Sequence, residues 1–221
     1  MAWAYLINST LTSSTKGTYR WVLGKVFELD LGDGPSFRGS IAANPYSQHE
    51  RAELISVARS QNKPWRRSSA LAMIALSIGA GCRACELRHV KGGDLAKDGG
   101  AIATGDRTVP IKSPWSEILS SLERKDHEFL FHLGAPTRSS KNFTGGFASD
   151  LIRDPASPRF QITRARSSFI CDRWNDGIPL IELTEITGIR EVESLIRYVH
   201  LLDRSPKTKA GLRQHFSSGN R

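Results

Sequence analysis

The stretch that decides the fold is residues 79–89, Gly-Ala-Gly-Cys-Arg-Ala-Cys-Glu-Leu-Arg-His. It follows an apolar segment, residues 70–78, whose composition predicts a buried helix. The Gly-x-Gly break predicts that this helix ends and that a second one begins near Arg83. Glu86 and Leu87 would then lie on the same side of the new helix as Arg83. An arginine at a helix start can bind an anion together with backbone N–H groups, although a solvated arginine at a helix joint explains the same pattern.

Three short boxes in this sequence resemble the motifs of the tyrosine recombinases, the phage-integrase family. In chain order they are Gly81-Cys-Arg83-Ala-Cys-Glu86-Leu87, Thr163-Arg-Ala-Arg166-Ser-Ser-Phe169 and Leu195-Ile-Arg-Tyr198-Val-His200. The first two resemble the arginine boxes of the family, and the third resembles its nucleophile box. Gly188 stands ten residues before Tyr198, as the glycine of the family's Leu-Gly-His motif does. The likeness covers roughly residues 44–203.

The resemblance implies both a fold and an activity. The activity is cleavage and rejoining of double-stranded DNA through a 3′-phosphotyrosine intermediate. Carried over residue by residue, the resemblance makes Tyr198 the nucleophile and makes Arg83 and Arg166 the clamp that holds the phosphate. It also implies a homo-oligomer on the DNA, from dimer to tetramer, a role in recombination and in the integration of a mobile element, and no cofactor.

These residue types suit the cleavage of a phosphodiester. The phenol of Tyr198 is a better leaving group than an alkyl alcohol, so a phosphotyrosine link is reversible. The two guanidiniums can donate paired hydrogen bonds to the non-bridging oxygens and stabilise the charge of the pentacoordinate state. The same cations make a phenol, whose ordinary pKa is about 10, easier to deprotonate.

The sequence departs from the family pattern at three places. Thr163 stands where the second arginine box has histidine, and Ile189 stands just after the glycine of the Leu-Gly-His motif. In the family a β-hairpin carries a lysine that protonates the leaving 5′ oxygen, and the tip of the hairpin predicted here has none. Lys97 and Lys112 flank that hairpin and are candidates for the acid. Thr163 can donate a hydrogen bond but is no general base at neutral pH.

These departures leave two functions open. The first is a tyrosine recombinase whose rate is attenuated by the missing histidines. The second is a catalytically inactive DNA-binding or accessory module of the same fold. A helical nucleic-acid-binding regulator with an accidental likeness would instead leave Arg83, Arg166 and Tyr198 far apart in the structure.

Composition favours an anionic partner without selecting a chemistry. Lysine and arginine total 31 against 22 acidic residues, a net charge of +9, and the sequence pI is about 9.8. The three cysteines form no disulfide framework, and Cys82-x-x-Cys85 lacks a second Cys/His pair, so we expect thiols in a reducing cytoplasm and no metal. No apolar run reaches membrane-spanning length. A DNA-binding role would associate the protein with the nucleoid.

We expect three regions along the chain. Residues 1–43 form a short helical segment, with a helical pattern over 15–27 and a break at 32–35. It is either a remnant of the family's core-binding domain or a simple cap on the adjoining domain. Residues 44–203 form the region that resembles the catalytic domain, and residues 204–221 form a basic C-terminal tail.

Periodicity and turn signals predict the elements of the middle region. Strands are expected at 101–104 and 107–111, joined by a two-residue turn. Helices are expected at 47–61, 68–78, 83–89, 114–124, 147–152, 162–175, 181–186 and 191–202. Residues 63–67 are expected to form a basic turn, which could contact phosphates but is more simply explained as a solvated loop. Arg164, Arg166 and Arg173 are expected to leave the helix at 162–175 away from its apolar stripe. The predicted class is therefore mainly α with a small antiparallel β-hairpin (α+β), like the tyrosine-recombinase catalytic domain.

Overall fold

The computed structural model describes residues 42–132, 140, 142–190 and 193–202, together with Asn8, Thr10, Lys16, Tyr19 and Leu23. The chain divides into two units, Met1–Ile41 and Ala42–Arg221. In the first unit Lys16, Tyr19 and Leu23 are helical, as the pattern over 15–27 predicts. The predicted break at 32–35 and the basic tail at 204–221 lie outside the described residues.

The described part of the second unit consists of helices and one hairpin. The helices are α1 (Gln48–Arg59), α2 (Pro64–Ile74), α3 (Ala84–Leu87), α4 (Trp115–Ser120), α5 (Phe143–Ser149), α6 (Ile162–Asn175), α7 (Leu180–Thr187) and α8 (Glu193–Ile196). A π-helical turn, Ala75–Gly79, continues α2, and short 3₁₀ turns cover Gly92–Asp94 and Val199–Leu201. Strands β1 (Ala101–Thr104) and β2 (Arg107–Pro110) pair antiparallel. The predicted class, mainly α with a small antiparallel hairpin, is confirmed.

The core is organised around α2 and the π-helical turn that continues it. Met73, Ile74, Leu76 and Ile78 are each at most 1 % exposed, as expected for the longest apolar run of the sequence. The π-helical turn packs against both α4 and α6. Within the described residues, no helix has the length and apolar character needed to cross a membrane.

Several local predictions are confirmed because short-range chemistry determines them. Ser47 and Glu50 form the expected capping box at the start of α1, since each side chain accepts the other's backbone N–H. The hairpin has the expected register, with Thr104 opposite Arg107, and Gly105 takes a φ of 63° in the turn. Helix α6 has the predicted bounds, and α7 ends at Gly188 in a left-handed conformation.

The basic segment at 63–67 was predicted as a solvated turn, and this prediction is wrong. Helix α2 begins at Pro64, where the fixed φ of proline suits the first helical position. The guanidinium of Arg66 donates to the carbonyl of Asp150, and that of Arg67 donates to the carbonyl of Gln61. Trp65 stacks on His132 with 5.4 Å between ring centroids. Tertiary contacts therefore convert the predicted turn into the first turn of a helix.

Other element boundaries also differ from the predictions. Helix α4 ends at Ser120 and does not reach 124, and α5 begins at Phe143 and contains Gly145 and Gly146. The predicted final helix at 191–202 is interrupted: α8 ends at Ile196, and Tyr198 precedes a separate 3₁₀ turn. The backbone N–H of Tyr198 donates to the carbonyl of Leu195, and that of Leu201 donates to the carbonyl of Tyr198. Both are the i→i+3 hydrogen bonds of a 3₁₀ turn.

Arg173 is expected to leave α6 away from its apolar stripe, and the structure shows that this side chain is nevertheless buried. Arg173 is 4 % exposed, and its guanidinium donates a hydrogen bond to the carbonyl of Pro110 at 2.8 Å. The side chain therefore ties α6 to the end of β2. Helical periodicity alone does not reveal this contact, because both partners are far apart in the sequence.

Two features of the structure require glycine at position 81, the left-handed backbone and the lack of space for a Cβ atom. Its φ is 59°, and a Cβ there would collide with the ring of Phe169. We expect Gly81→Ala to lower the free energy of unfolding by roughly 2–5 kcal/mol, from left-handed backbone strain and overpacking. Gly145→Ala is the control: a Cβ there meets nothing within 4 Å, so helix propensity should stabilise it by about 1 kcal/mol. Equal urea-unfolding free energies for the two variants would contradict this.

Candidate active site

The site is built around one buried carboxylate, that of Glu86 on α3. Glu86 is 8 % exposed. Its Oε2 accepts the backbone N–H of Arg83 at 2.6 Å and Nη2 of Arg107 at 2.8 Å. Its Oε1 accepts Nε of Arg83 at 2.9 Å. A single carboxylate therefore holds the arginine of the first box and the first residue of β2.

The surroundings of Glu86 keep it ionised. Burial raises the pKa of Glu86, but the hydrogen bonds from Arg83 and the charge of Arg107 outweigh burial, so the pKa lies below its ordinary value. The same pairing raises the pKa of Arg83 above its ordinary value, against the opposing effect of burial. Half of the Arg83 side chain, 46 %, remains exposed. Arg83 thus stays a cation that can still reach a ligand.

Glu86→Gln is expected to change both stability and its pH dependence. The lowered pKa means that the Glu86 carboxylate contributes stability above its unfolded-state pKa of about 4.3, and that this contribution is lost as pH falls through its folded-state pKa. At pH 7 the variant should lose roughly 3 kcal/mol, because Arg107 is left buried without its anion. The difference between variant and wild type should shrink as pH falls, and urea unfolding should give nearly equal values only below the folded-state pKa of Glu86. Exposed Glu182→Gln is the control, and a wild-type-like pH profile for Glu86→Gln would contradict the expectation.

Arg166 projects from α6 and connects the glycine break before Arg83 to the end of α7. Its Nη1 donates to the carbonyl of Gly81 at 2.6 Å, and its Nη2 donates to the carbonyl of Thr187 at 2.7 Å. Burial lowers the pKa of Arg166, and the nearby charge of Arg107 lowers it further, while Tyr198 and Glu86 oppose the shift. The guanidinium is therefore held in one orientation by backbone carbonyls before any ligand binds.

Tyr198 lies between α8 and the last 3₁₀ turn, and it is 7 % exposed. It borders an open cleft of about 320 Å³, which is lined by Arg83, Arg166, Gly188, Ile189, Arg190, Ser194, Arg197 and Tyr198. The guanidinium of Arg197 stands 5.5 Å from the centre of the Tyr198 ring. The structure therefore brings together the three residues that the sequence boxes single out, and the alternative in which they lie far apart is wrong.

The other residues predicted for the site lie elsewhere. Lys112 pairs with Asp176 at 2.8 Å and borders a different groove, on the side of α1 and α6. Lys97 is exposed in the turn before β1, and Thr163 is exposed in the first turn of α6. None of these three lines the described part of the cleft. Ile189, at the position where the family motif has histidine, does line it.

Sequence reasoning missed Arg107 as a member of this site. Arg107 and Val109 lie on the same face of β2, and both are buried. The two-residue period of a strand puts Arg107 on the same face as the core residue Val109. A buried arginine requires an acidic partner, so this pattern was a usable signal. Arg190, Ser194 and Arg197 were missed as well, because no local pattern marks them as neighbours of Arg83 and Arg166 in the cleft.

The cysteines do not form a common site. Cys82 is fully buried, and burial raises the pKa of its thiol to about 12. Cys85, three positions later in the chain, is exposed. Among the described residues, no three histidine, cysteine or acidic side chains come together as metal ligands.

The chain has the fold of the tyrosine-recombinase catalytic domain. It is similar to the XerH site-specific recombinase in a post-cleavage complex with a palindromic difH substrate, with a TM-score of 0.66 and 16 % identity over 97 % of this chain and 72 % of that one. It is also similar to XerA recombinase, with a TM-score of 0.55 and 17 % identity over 100 % and 91 % of the two chains. For the catalytic domain of bacteriophage HP1 integrase the TM-score is 0.51 and the identity 16 %, over 80 % and 98 %. No family model and no curated protein matches the sequence.

Proposed function

We propose that this chain is a DNA-binding, tyrosine-type site-specific recombinase that cleaves and rejoins strands through a 3′-phosphotyrosine at Tyr198. The observation that carries the proposal is that Arg83, Arg166 and Tyr198 border one cleft. The fold supports it, because the similar structures include recombinases and integrases of phage and transposon origin. By analogy, the substrate is double-stranded DNA of a mobile element, and the working form is a dimer or tetramer on that DNA.

The proposed reaction is a reversible transesterification. The Oη of Tyr198 loses its proton and forms a bond to phosphorus, the bond from phosphorus to the 5′ oxygen breaks, and that oxygen takes up a proton. Arg83 and Arg166 donate hydrogen bonds to the non-bridging oxygens and stabilise the negative charge that accumulates on them. The reverse attack by a 5′ hydroxyl restores the phosphodiester and frees the tyrosine.

The described part of this site has no good proton donor for the leaving oxygen, and we therefore expect the reaction to be slow. The described lining of the cleft has arginines but no lysine or histidine. The pKa of an arginine side chain lies above about 12, so arginine is a poor proton donor at neutral pH. Lys97, Lys112 and Thr163 remain proposals for assisting roles, and each would have to move into the cleft when DNA binds.

A second function, an inactive DNA-binding or accessory module, is favoured by the same lining. Ile189 offers no hydrogen-bonding side chain to a phosphate, and exposed Thr163 lies outside the cleft. The two functions share the fold, the basic charge and salt-sensitive duplex binding, since phosphate contacts release counterions. They differ in whether a covalent protein–DNA adduct forms.

The test begins with duplexes selected for binding from a randomised pool, which supplies the target sequence. Selected duplexes are nicked near the bound site, so that cleavage releases a short strand and traps the covalent complex, and samples are denatured in detergent. A slowly migrating protein–DNA band would support the recombinase. Salt-sensitive binding without a band would contradict strand cleavage and support the inactive module. Failure to select any duplex would contradict both.

A further inference from the structure

Arg107, the first residue of β2, is a buried cation that the proposed chemistry does not use. Its side chain is 5 % exposed, and its Nη2 lies 2.8 Å from Oε2 of Glu86. Its Nη1 donates to the carbonyl of Ile186 near the end of α7. One side chain therefore connects the hairpin to both α3 and α7.

Glu86 transmits this restraint to Arg83. Arg107 and the backbone of Arg83 hold Oε2 of Glu86, while Oε1 faces Nε and Nη2 of Arg83 at 2.9 and 2.7 Å. Because both oxygens have partners, the carboxylate cannot rotate without losing hydrogen bonds. The Arg83 guanidinium is thereby presented to the cleft with its Nη1 outside this pairing.

A second branch leads from Arg107 to Arg166. Arg107 donates to the carbonyl of Ile186, and Arg166 donates to the next carbonyl, that of Thr187, at 2.7 Å. Gly188 comes next with a φ of 64°, and a Cβ there would lie 3.3 Å from Nε of Arg107. The two arginines therefore fix the same end of α7, from which the chain enters the cleft as Ile189 and Arg190.

A role in stability alone explains this arrangement poorly. The Nε of Arg107 is buried and has no hydrogen-bond partner among the described residues. Burying a guanidinium costs desolvation energy, and an unpaired donor adds to that cost. An apolar side chain at this core-facing position would avoid both costs. An apolar side chain, however, could not hold Glu86 and the end of α7 in fixed positions.

We propose that Arg107 is a positioning residue that aligns Arg83, through Glu86, and Arg166, through the end of α7, to receive one phosphate group. The catalytic consequence rests on the proposed function. The alignment of the two arginines is a property of the protein without DNA and can be tested separately.

The catalytic test compares Arg107→Met, which keeps the aliphatic stem, with Arg107→Lys, which restores the charge and one donor. Single-turnover adduct formation on a trapping duplex gives a rate constant and an amplitude. We expect the rate constant to fall about tenfold to hundredfold in Arg107→Met, as when a reacting group is displaced by a fraction of an ångström, with Arg107→Lys between it and wild type. Duplex affinity should change less than about threefold, because the Arg107 side chain is only 5 % exposed and its two terminal nitrogens already donate to Ile186 and Glu86.

A merely structural role predicts a different pattern. Partial unfolding would lower the amplitude, which reports the fraction of active protein, and leave the rate constant unchanged. Exposed Thr108→Ala, the neighbour on the outer face of β2, is the control and should match wild type. Wild-type rate constants in folded Arg107→Met, checked by circular dichroism, would overturn the proposal.

The second test needs no DNA. In ¹⁵N-labelled protein the Nε–H signal of Arg83 is assigned by its absence in Arg83→Lys, and its exchange with water is measured. In Arg107→Met we expect exchange to quicken about tenfold, the factor that corresponds to weakening one ordinary hydrogen bond. Unchanged exchange would overturn the positioning role. Faster exchange in a protein that never forms an adduct would leave that role standing and contradict the proposed function.

Discussion

Tyr198→Phe is expected to abolish the covalent protein–DNA adduct on trapping duplexes, because phenylalanine has no oxygen to attack phosphorus. The substitution keeps the ring, which is almost completely buried, and removes one hydroxyl group. It removes no positive charge, so duplex affinity should stay within about threefold of wild type, since phosphate neutralisation dominates binding. Denaturing gels measure the adduct, and fluorescence anisotropy measures the affinity.

Tyr46→Phe is the matched control for the loss of a phenol. The Tyr46 hydroxyl donates to the carbonyl of Arg159 and accepts the backbone N–H of Gln161, and burial raises its pKa. This variant should lose about 1–3 kcal/mol of stability and still form the adduct below its unfolding temperature. An adduct at wild-type yield in Tyr198→Phe would show that another residue attacks the DNA.

Arg166→Ala should lower the rate constant of adduct formation by a factor of about a hundred or more, as the loss of one preorganised donor to a transition-state oxygen commonly does. It also leaves the carbonyls of Gly81 and Thr187 without their donor, so some stability is lost. Arg166→Lys should recover only a small part of the rate, because an ammonium cannot bridge two carbonyls and face a phosphate in the same plane. Single-turnover kinetics at a temperature where all variants are folded measures these effects.

Arg59→Ala removes the same charge from an exposed position at the end of α1 and is the control for Arg166→Ala. Its rate constant should equal that of wild type. If Arg166→Ala were to reduce duplex affinity alone and leave the rate constant of bound protein unchanged, Arg166 would be a DNA contact and not part of the phosphate clamp.

Local signals were enough to predict much of the fold. The helix Ile162–Asn175 has the expected bounds, and the hairpin differs from its predicted bounds by one residue, because β2 ends at Pro110. An apolar stripe of period 3.6 and a Gly-Asp turn are complete within their own segments. The interrupted helix around Tyr198 and the helical start at Pro64 were not predicted. The helix start at Pro64 is accompanied by a contact with a distant residue, the bond from Arg66 to the carbonyl of Asp150.

The same distinction applies to the candidate site. Arg83, Arg166 and Tyr198 could be singled out because each lies in a short linear box, and the structure brings them to one cleft. Arg107 could not be placed there, since its partner Glu86 is 21 residues away and its second partner, Ile186, is 79 residues away. The groups that orient the arginines are therefore visible only after folding.

The most direct test of Tyr198 as the nucleophile is to identify the residue that carries DNA in a trapped adduct. The chain has four tyrosines, so the site can be assigned without ambiguity. The adduct is digested with nuclease and protease, and the nucleotide-bearing peptide is sequenced by mass spectrometry. We predict a 3′-phosphonucleotide on Tyr198. A nucleotide on any other residue, or an unmodified Tyr198 peptide from protein that binds the duplex, would contradict the assignment.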